Sequence, residues 1–330
     1  MPATGVAVKA LSRETAAVRE TGTHQTTGIE GKVSQLAEPV SGGTKLSTNG
    51  SEFGRIENAT APSADAALKP AANEPREFSW RPPAEGLYDP ALEKDSCGVG
   101  FIANIKGRKS HQIVSDALSI LCNLEHRGAV GADPRFGDGA GILVQIPHAF
   151  FSRKAKENGF TLPKPGEYAV GALFMPRDPA WRKVIKSIVA DKIRDEGLTL
   201  LGWRDVPTDN ASLGETVKPT EPHHMQVFIG RNGEIKTSDD FERRLYILRK
   251  SISQAIYQRR DRNLAGYYPV SMSCRTVVYK GMFLADQLGK YYADLHEDDF
   301  ESAFALVHQR FSTNTFPTWS LAHPYRMIAH

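Results

Sequence analysis

Lys94-Asp95-Ser96-Cys97-Gly98-Val99-Gly100-Phe101 marks the point where a low-complexity segment stops and an apolar strand pattern begins, with a cysteine on the boundary. Val99, Phe101, Ala103 and Ile105 alternate with the period of a strand. A cysteine at the first position of a folded unit is chemically unusual. If the peptide bond before it were cut, its thiol would sit beside a free α-amine, which titrates at about 7.7–8.0 against about 10.4 for a lysine. Such an amine can serve as general base for its own side chain near neutral pH, so one cut would create nucleophile and base together. Spacing alone favours a plainer account, in which Cys97 is a small apolar residue opening a buried strand.

Upstream, residues 1 to about 86 are rich in Ala, Thr, Ser, Gly, Glu and Pro, and Phe53 is the only aromatic before Phe78. Such a segment buries too little apolar surface to offset its ordering entropy and is expected to be disordered. Downstream the pattern mixes α and β. The turn Lys106-Gly107-Arg108-Lys109 leads to Ser110, an expected N-cap. The helix after it carries Val114, Ala117, Leu118, Leu121 and Leu124 on one face and closes near Gly128. Strands are expected at 142–146, 169–174, 225–229, 276–279 and 303–308, and helices at 179–194 and 239–262. The second helix opens on Ser238 as N-cap and displays Ile247, Ile252 and Ile256.

The strands show no regular βαβ alternation. Gly137-Asp138-Gly139-Ala140-Gly141 precedes a strand rather than a helix, so it reads as a tight loop and not as a phosphate cradle. The fold class is therefore α+β. A net charge of +3 spread along 330 residues gives no argument for nucleic acid. Cys97, Cys122 and Cys274 are an odd, widely spaced set that fits a reducing compartment better than disulfides or zinc. No apolar run approaches the roughly 20 residues that span a bilayer, so no membrane partner is expected. Glu14, Glu20, Glu30 and Glu38 argue against a transit peptide, leaving a cytoplasmic location as the expectation.

Other clusters have ordinary readings. Cys122 and Cys274 read as packing residues, and His223-His224 reads as a pair in a Pro-flanked loop with no third metal ligand nearby. Arg259-Arg260-Asp261-Arg262 reads as a solvated helix end. Glu125-His126-Arg127-Gly128 reads as a helix C-terminal cap whose basic residues complement the dipole. In His308-Gln309-Arg310-Phe311-Ser312-Thr313, His308 reads as a strand-core histidine, and spacing alone gives Arg310 a surface salt bridge.

The run GLYDPALEKDSCGVGFIANIKGRKSH, followed by LEHRGAVGADPRFGDGAGILVQIP, closely resembles the start of the glutamate synthase large chain, a class II glutamine amidotransferase. The resemblance continues in SCRTVVYKGM, QLGKYYADL and ALVHQRFSTNTFPTWSLAHPYRMIAH, covering most of residues 87–330, and the DPRFGDGAGI form is nearer the bacterial type. It implies the four-layer αββα sandwich of N-terminal-nucleophile hydrolases over residues 97–330, truncated at its C-terminal side. Residues 1–96 would be a propeptide removed between Ser96 and Cys97. By resemblance Cys97 attacks the glutamine amide, Arg310 clamps the substrate α-carboxylate, and Thr313 adds a substrate hydrogen bond. Arg127 and Gly128 support the site. The ammonia released would be channelled to 2-oxoglutarate to make glutamate. FMN and a 3Fe-4S cluster would lie in later domains of the same chain, and a small NADPH-oxidising subunit would be a further partner. The family's oxyanion-hole Asn-Gly would follow His330, so a 330-residue fragment is expected to be inactive. Two alternatives stay open: another class II glutamine amidotransferase, and a non-catalytic docking or regulatory module of the same fold.

Overall fold

The computed structural model describes residues 83–86, 89, 96–131, 133–312 and 315–326, so the extension expected to be disordered falls almost wholly outside the described residues. In chain order the elements of the folded unit are β1 (Gly98–Ala103), α1 (His111–Asn123), β2 (Ala140–Gln145), α2 (His148–Glu157) and β3 (Tyr168–Met175). They continue with α3 (Pro179–Asp195), β4 (Thr199–Asp205), β5 (His223–Gly230) and α4 (Ser238–Gln258). The last are β6 (Tyr268–Ser273), β7 (Thr276–Gly281), α5 (Gln287–Tyr291) and β8 (Phe304–Gln309).

The strands form two four-stranded antiparallel sheets, ordered β1-β8-β2-β7 and β4-β5-β3-β6. The central strand β3 is buried along its whole length, as its unbroken apolar run requires. Val170, Ala172 and Phe174 turn one way, into a core shared with Phe228, Val270 and Tyr279. Ala169, Leu173 and Met175 turn the other way, onto Ile185 and Val189 of α3 and Leu245 and Ile252 of α4. On the first sheet, α1 buries Ile113, Val114, Ala117 and Leu121. The order is thus helix, sheet, sheet, helices, the αββα sandwich.

Between the sheets lies a buried ion pair. Arg204 reaches Asp294 with two hydrogen bonds of 2.7 Å, and Tyr279 donates to the same carboxylate at 2.8 Å. Two nitrogens on two oxygens satisfy the fork geometry that offsets desolvation best.

Several expectations change in detail. The alternation in β1 is real but its buried face is the opposite one: Gly98, Gly100 and Ile102 point inward, while Val99 and Phe101 are 42% and 43% exposed. Glycines face α1 because the helix approaches too closely for side chains. The N-cap of α4 is Thr237, whose hydroxyl accepts from Asp240 N at 3.1 Å, and not Ser238. Ile252 and Ile256 are buried, but Ile247 is 48% exposed. Cys122 lies on the solvent side of α1 and is no packing residue, whereas Cys274 is buried. His223 and His224 belong to β5 rather than a loop, since a proline is tolerated immediately before a strand. His224 sits between the hydroxyls of Tyr291 and Tyr292 at 2.9 and 3.1 Å, and burial pushes its pKa down to about 3. The elements α2, β4, β6 and α5 are additional to those expected, since their sequences carry weaker periodic signals. Among the described residues no helix is long and apolar enough to cross a membrane.

Candidate functional site

Antiparallel pairing builds the site. Gly98 lies opposite Gln309 in the β1–β8 ladder, so Cys97 and Arg310 are the residues just past the paired ends of adjacent strands. Residues more than two hundred apart in sequence therefore meet. Phe311 N donates to Cys97 Sγ at 3.4 Å, and the thiol lies 3.6 Å from Phe311 O. Cys97 is half-buried.

Arg310 is only 7% exposed. Its Nη1 donates to Asp138 O at 3.3 Å, and its Nη2 donates to Ser312 Oγ at 3.3 Å and Thr315 Oγ1 at 2.8 Å. All three acceptors are neutral oxygens, so among the described residues no carboxylate is hydrogen-bonded to the guanidinium. That is the state in which a cation can take up a ligand carboxylate through its remaining donors. The surface salt bridge that spacing alone suggested is not what the structure shows.

Arg127 and Gly128 also join the site. A 3-10 turn, Glu125–Arg127, follows α1 and brings Arg127 against β1. A Cβ placed on Gly98 would fall 2.9 Å from Arg127 Cβ. Gly128 has a steric reason: a Cβ there would fall 2.4 Å from Gln309 Nε2, so the absent side chain makes room for the buried carboxamide. Thr313 lies outside the described residues. His308 is fully buried in β8 and stacks on His323 at a centroid distance of 4.6 Å, consistent with a core role.

Three site residues escaped the sequence reading: Asp138, Thr315 and Gln309. Asp138 sits in the Gly137–Gly141 turn, where the glycines alone had drawn notice. Its carboxylate accepts from Ser312 N, and burial raises its pKa, opposed by that hydrogen bond and by the Arg310 charge. Gly139 has φ +134°, a conformation reserved for glycine, and its carbonyl accepts from Arg310 N at 2.8 Å. Gln309 Oε1 is buried with no acceptor use among the described residues.

Behind this layer, Lys280 of β7 is fully buried and donates to Ser320 O at 2.9 Å and Ala322 O at 2.6 Å. Burial, with the charges of Arg326 and Arg310, pushes its pKa down to about 6. Cys274 is no competitor for Cys97, since burial and Glu242 push its thiol up to about 12. Among the described residues, no group of three His, Cys, Asp or Glu side chains is arranged to hold a metal.

The family model for class II glutamine amidotransferases matches residues 97–330, beginning on Cys97. The chain is 43% identical over 254 residues to the glutamate synthase (NADPH) large chain of Bacillus subtilis, covering 77% of this chain and 16% of that protein. It is 45% identical over 263 residues to the glutamate synthase (NADH) of Schizosaccharomyces pombe, covering 76% and 12%. It is 43% identical over 244 residues to the glutamate synthase (NADPH) large chain of Azospirillum brasilense, covering 74% and 16%. The chain therefore spans only a small part of the length of these relatives.

Proposed function

This chain belongs to the class II glutamine amidotransferases, and we propose that it carries the glutaminase half-reaction of a glutamate synthase. The observation behind the reading is the thiol of Cys97 set against the 310–312 segment, beside an arginine whose side-chain acceptors among the described residues are neutral. The thiol attacks the side-chain amide carbon of glutamine. The α-amine of Cys97, once freed, takes the thiol proton and returns it to the departing ammonia. A glutamyl thioester forms, and water hydrolyses it to glutamate. Arg310 holds the substrate α-carboxylate, Thr313 adds a hydrogen bond, and Arg127 and Gly128 keep the strand ends and the Gln309 carboxamide in place.

The mechanism needs residues 1–96 to be removed, and the family match beginning on Cys97 supports that boundary. Ammonia would then pass to 2-oxoglutarate in domains outside this chain. FMN and an iron–sulfur cluster there would supply the reduction, with a small NADPH-oxidising subunit as a further partner. The length of the relatives supports such domains. The reading also places the protein in the cytoplasm.

Two measurements test this reading. N-terminal sequencing of the protein from its native host should return Cys97 as the first residue, and a chain beginning near Met1 would remove the proposed base. In the same preparation, C97A should lower glutamine hydrolysis by at least about a thousandfold, as loss of a covalent nucleophile does.

A further inference from the structure

The Gly137–Gly141 turn makes more contacts with the arginine segment than a spacer would. Three hydrogen bonds join residues 138–139 to residues 310–312. Gly139 O accepts from Arg310 N at 2.8 Å, which extends the β2–β8 ladder by one step. Asp138 O accepts from Arg310 Nη1 at 3.3 Å. The Asp138 carboxylate accepts from Ser312 N. Between the two pinned residues lies Phe311, whose N–H reaches the Cys97 thiol at 3.4 Å. Ser312 Oγ in turn accepts from Arg310 Nη2 at 3.3 Å. The carboxylate therefore fixes a main-chain amide two residues from the guanidinium and one from the contact with the nucleophile.

β8 ends at Gln309 and its pairing with β2 runs one step further, to Arg310, so beyond that the ladder no longer fixes the chain direction. Past Arg310, the Asp138 side chain takes over that task. At 7% exposed, it has little water to compete with the amide. We infer that Asp138 is a positioning residue for glutamine: by pinning Ser312 it holds the Arg310 guanidinium where the substrate α-carboxylate must bind. Asp138 touches neither thiol nor substrate in this account. Its effect is transmitted through the backbone, and it rests on the glutaminase reading above.

The test compares D138A with D138N in the native full-length protein. Asparagine keeps an oxygen that can accept from Ser312 N, while alanine does not. D138A should raise KM for glutamine about tenfold while kcat stays within about threefold, the pattern of lost substrate positioning. D138N should keep KM within about threefold of wild type, because one acceptor suffices for one amide. Hydrogen exchange at the Ser312 amide should speed up in D138A and stay near wild type in D138N. An unchanged KM in D138A, or D138N as impaired as D138A, overturns the inference. So does a parallel loss of kcat and melting temperature in D138A, which would make the residue merely structural. Wild-type protein that fails to hydrolyse glutamine overturns the glutaminase reading and this inference together. An active wild type with an indifferent D138A overturns the inference alone.

Discussion

Arg310 shows how little one side chain reveals by spacing and how much by its surroundings. In sequence it is one cation among 41 Lys and Arg. In the fold it is buried, and its hydrogen-bond acceptors are a carbonyl and two hydroxyls. A lysine would keep the charge but lose the planar fork that fixes a carboxylate's orientation. R310K should therefore raise KM for glutamine by about 10- to 100-fold, with a smaller effect on kcat. Steady-state kinetics on the mature protein checks this, and an unchanged KM would remove Arg310 from the binding pocket. The motif around Arg310 singles it out as a candidate. The partners that hold it are not legible there, because Asp138 lies 172 positions away and Thr315 stands in a stretch of sequence with no periodic signature.

At the scale of elements, helix ends and strand faces are decided by contacts that local pattern cannot weigh. Thr237 and Ser238 are adjacent and both suit an N-cap, yet Thr237 alone accepts from Asp240 N. T237A should cost about 1 kcal/mol of unfolding free energy and S238A much less, read from denaturant midpoints. Equal losses would contradict the cap assignment. β1 shows the same limit differently. Its period of two was legible, but Val99 and Phe101 point outward because α1 and the 3-10 turn after it pack close enough to demand Gly100 and Gly98 on the buried face. β5 is longer than its apolar run 225–229 indicates, because the proline before His223 carries a loop signal that a strand start also tolerates. The long strand β3 was legible as an unbroken apolar run buried on both faces, and the amphipathic helices α1 and α3 because burial on one side repeats along them.

For the whole molecule, burial makes stability depend on acid. His224 is neutral in the fold, with its pKa lowered to about 3 by burial. An unfolded chain takes up a proton at this residue below about pH 6.5, and the folded chain does not. Stability from His224 is therefore complete above about pH 6.5 and falls by about 1.4 kcal/mol per pH unit as the pH drops toward the folded value. H224Q removes the titrating group and should flatten the loss measured between about pH 7 and pH 5 by urea unfolding. An unchanged slope would exonerate His224.

The register of β1 has a consequence for the proposed cleavage. Proteolysis after Ser96 would turn an interior residue into a chain end, and chain ends ordinarily fray. Here the residue immediately beyond the new end is already clasped, buried and opposite Gln309 in a strand that β2 braces from its other side. The freed amine would inherit a fixed address. Its wandering would be curtailed when the sheet folds, long before any substrate arrives, so the cut would release a functional group without releasing the chain.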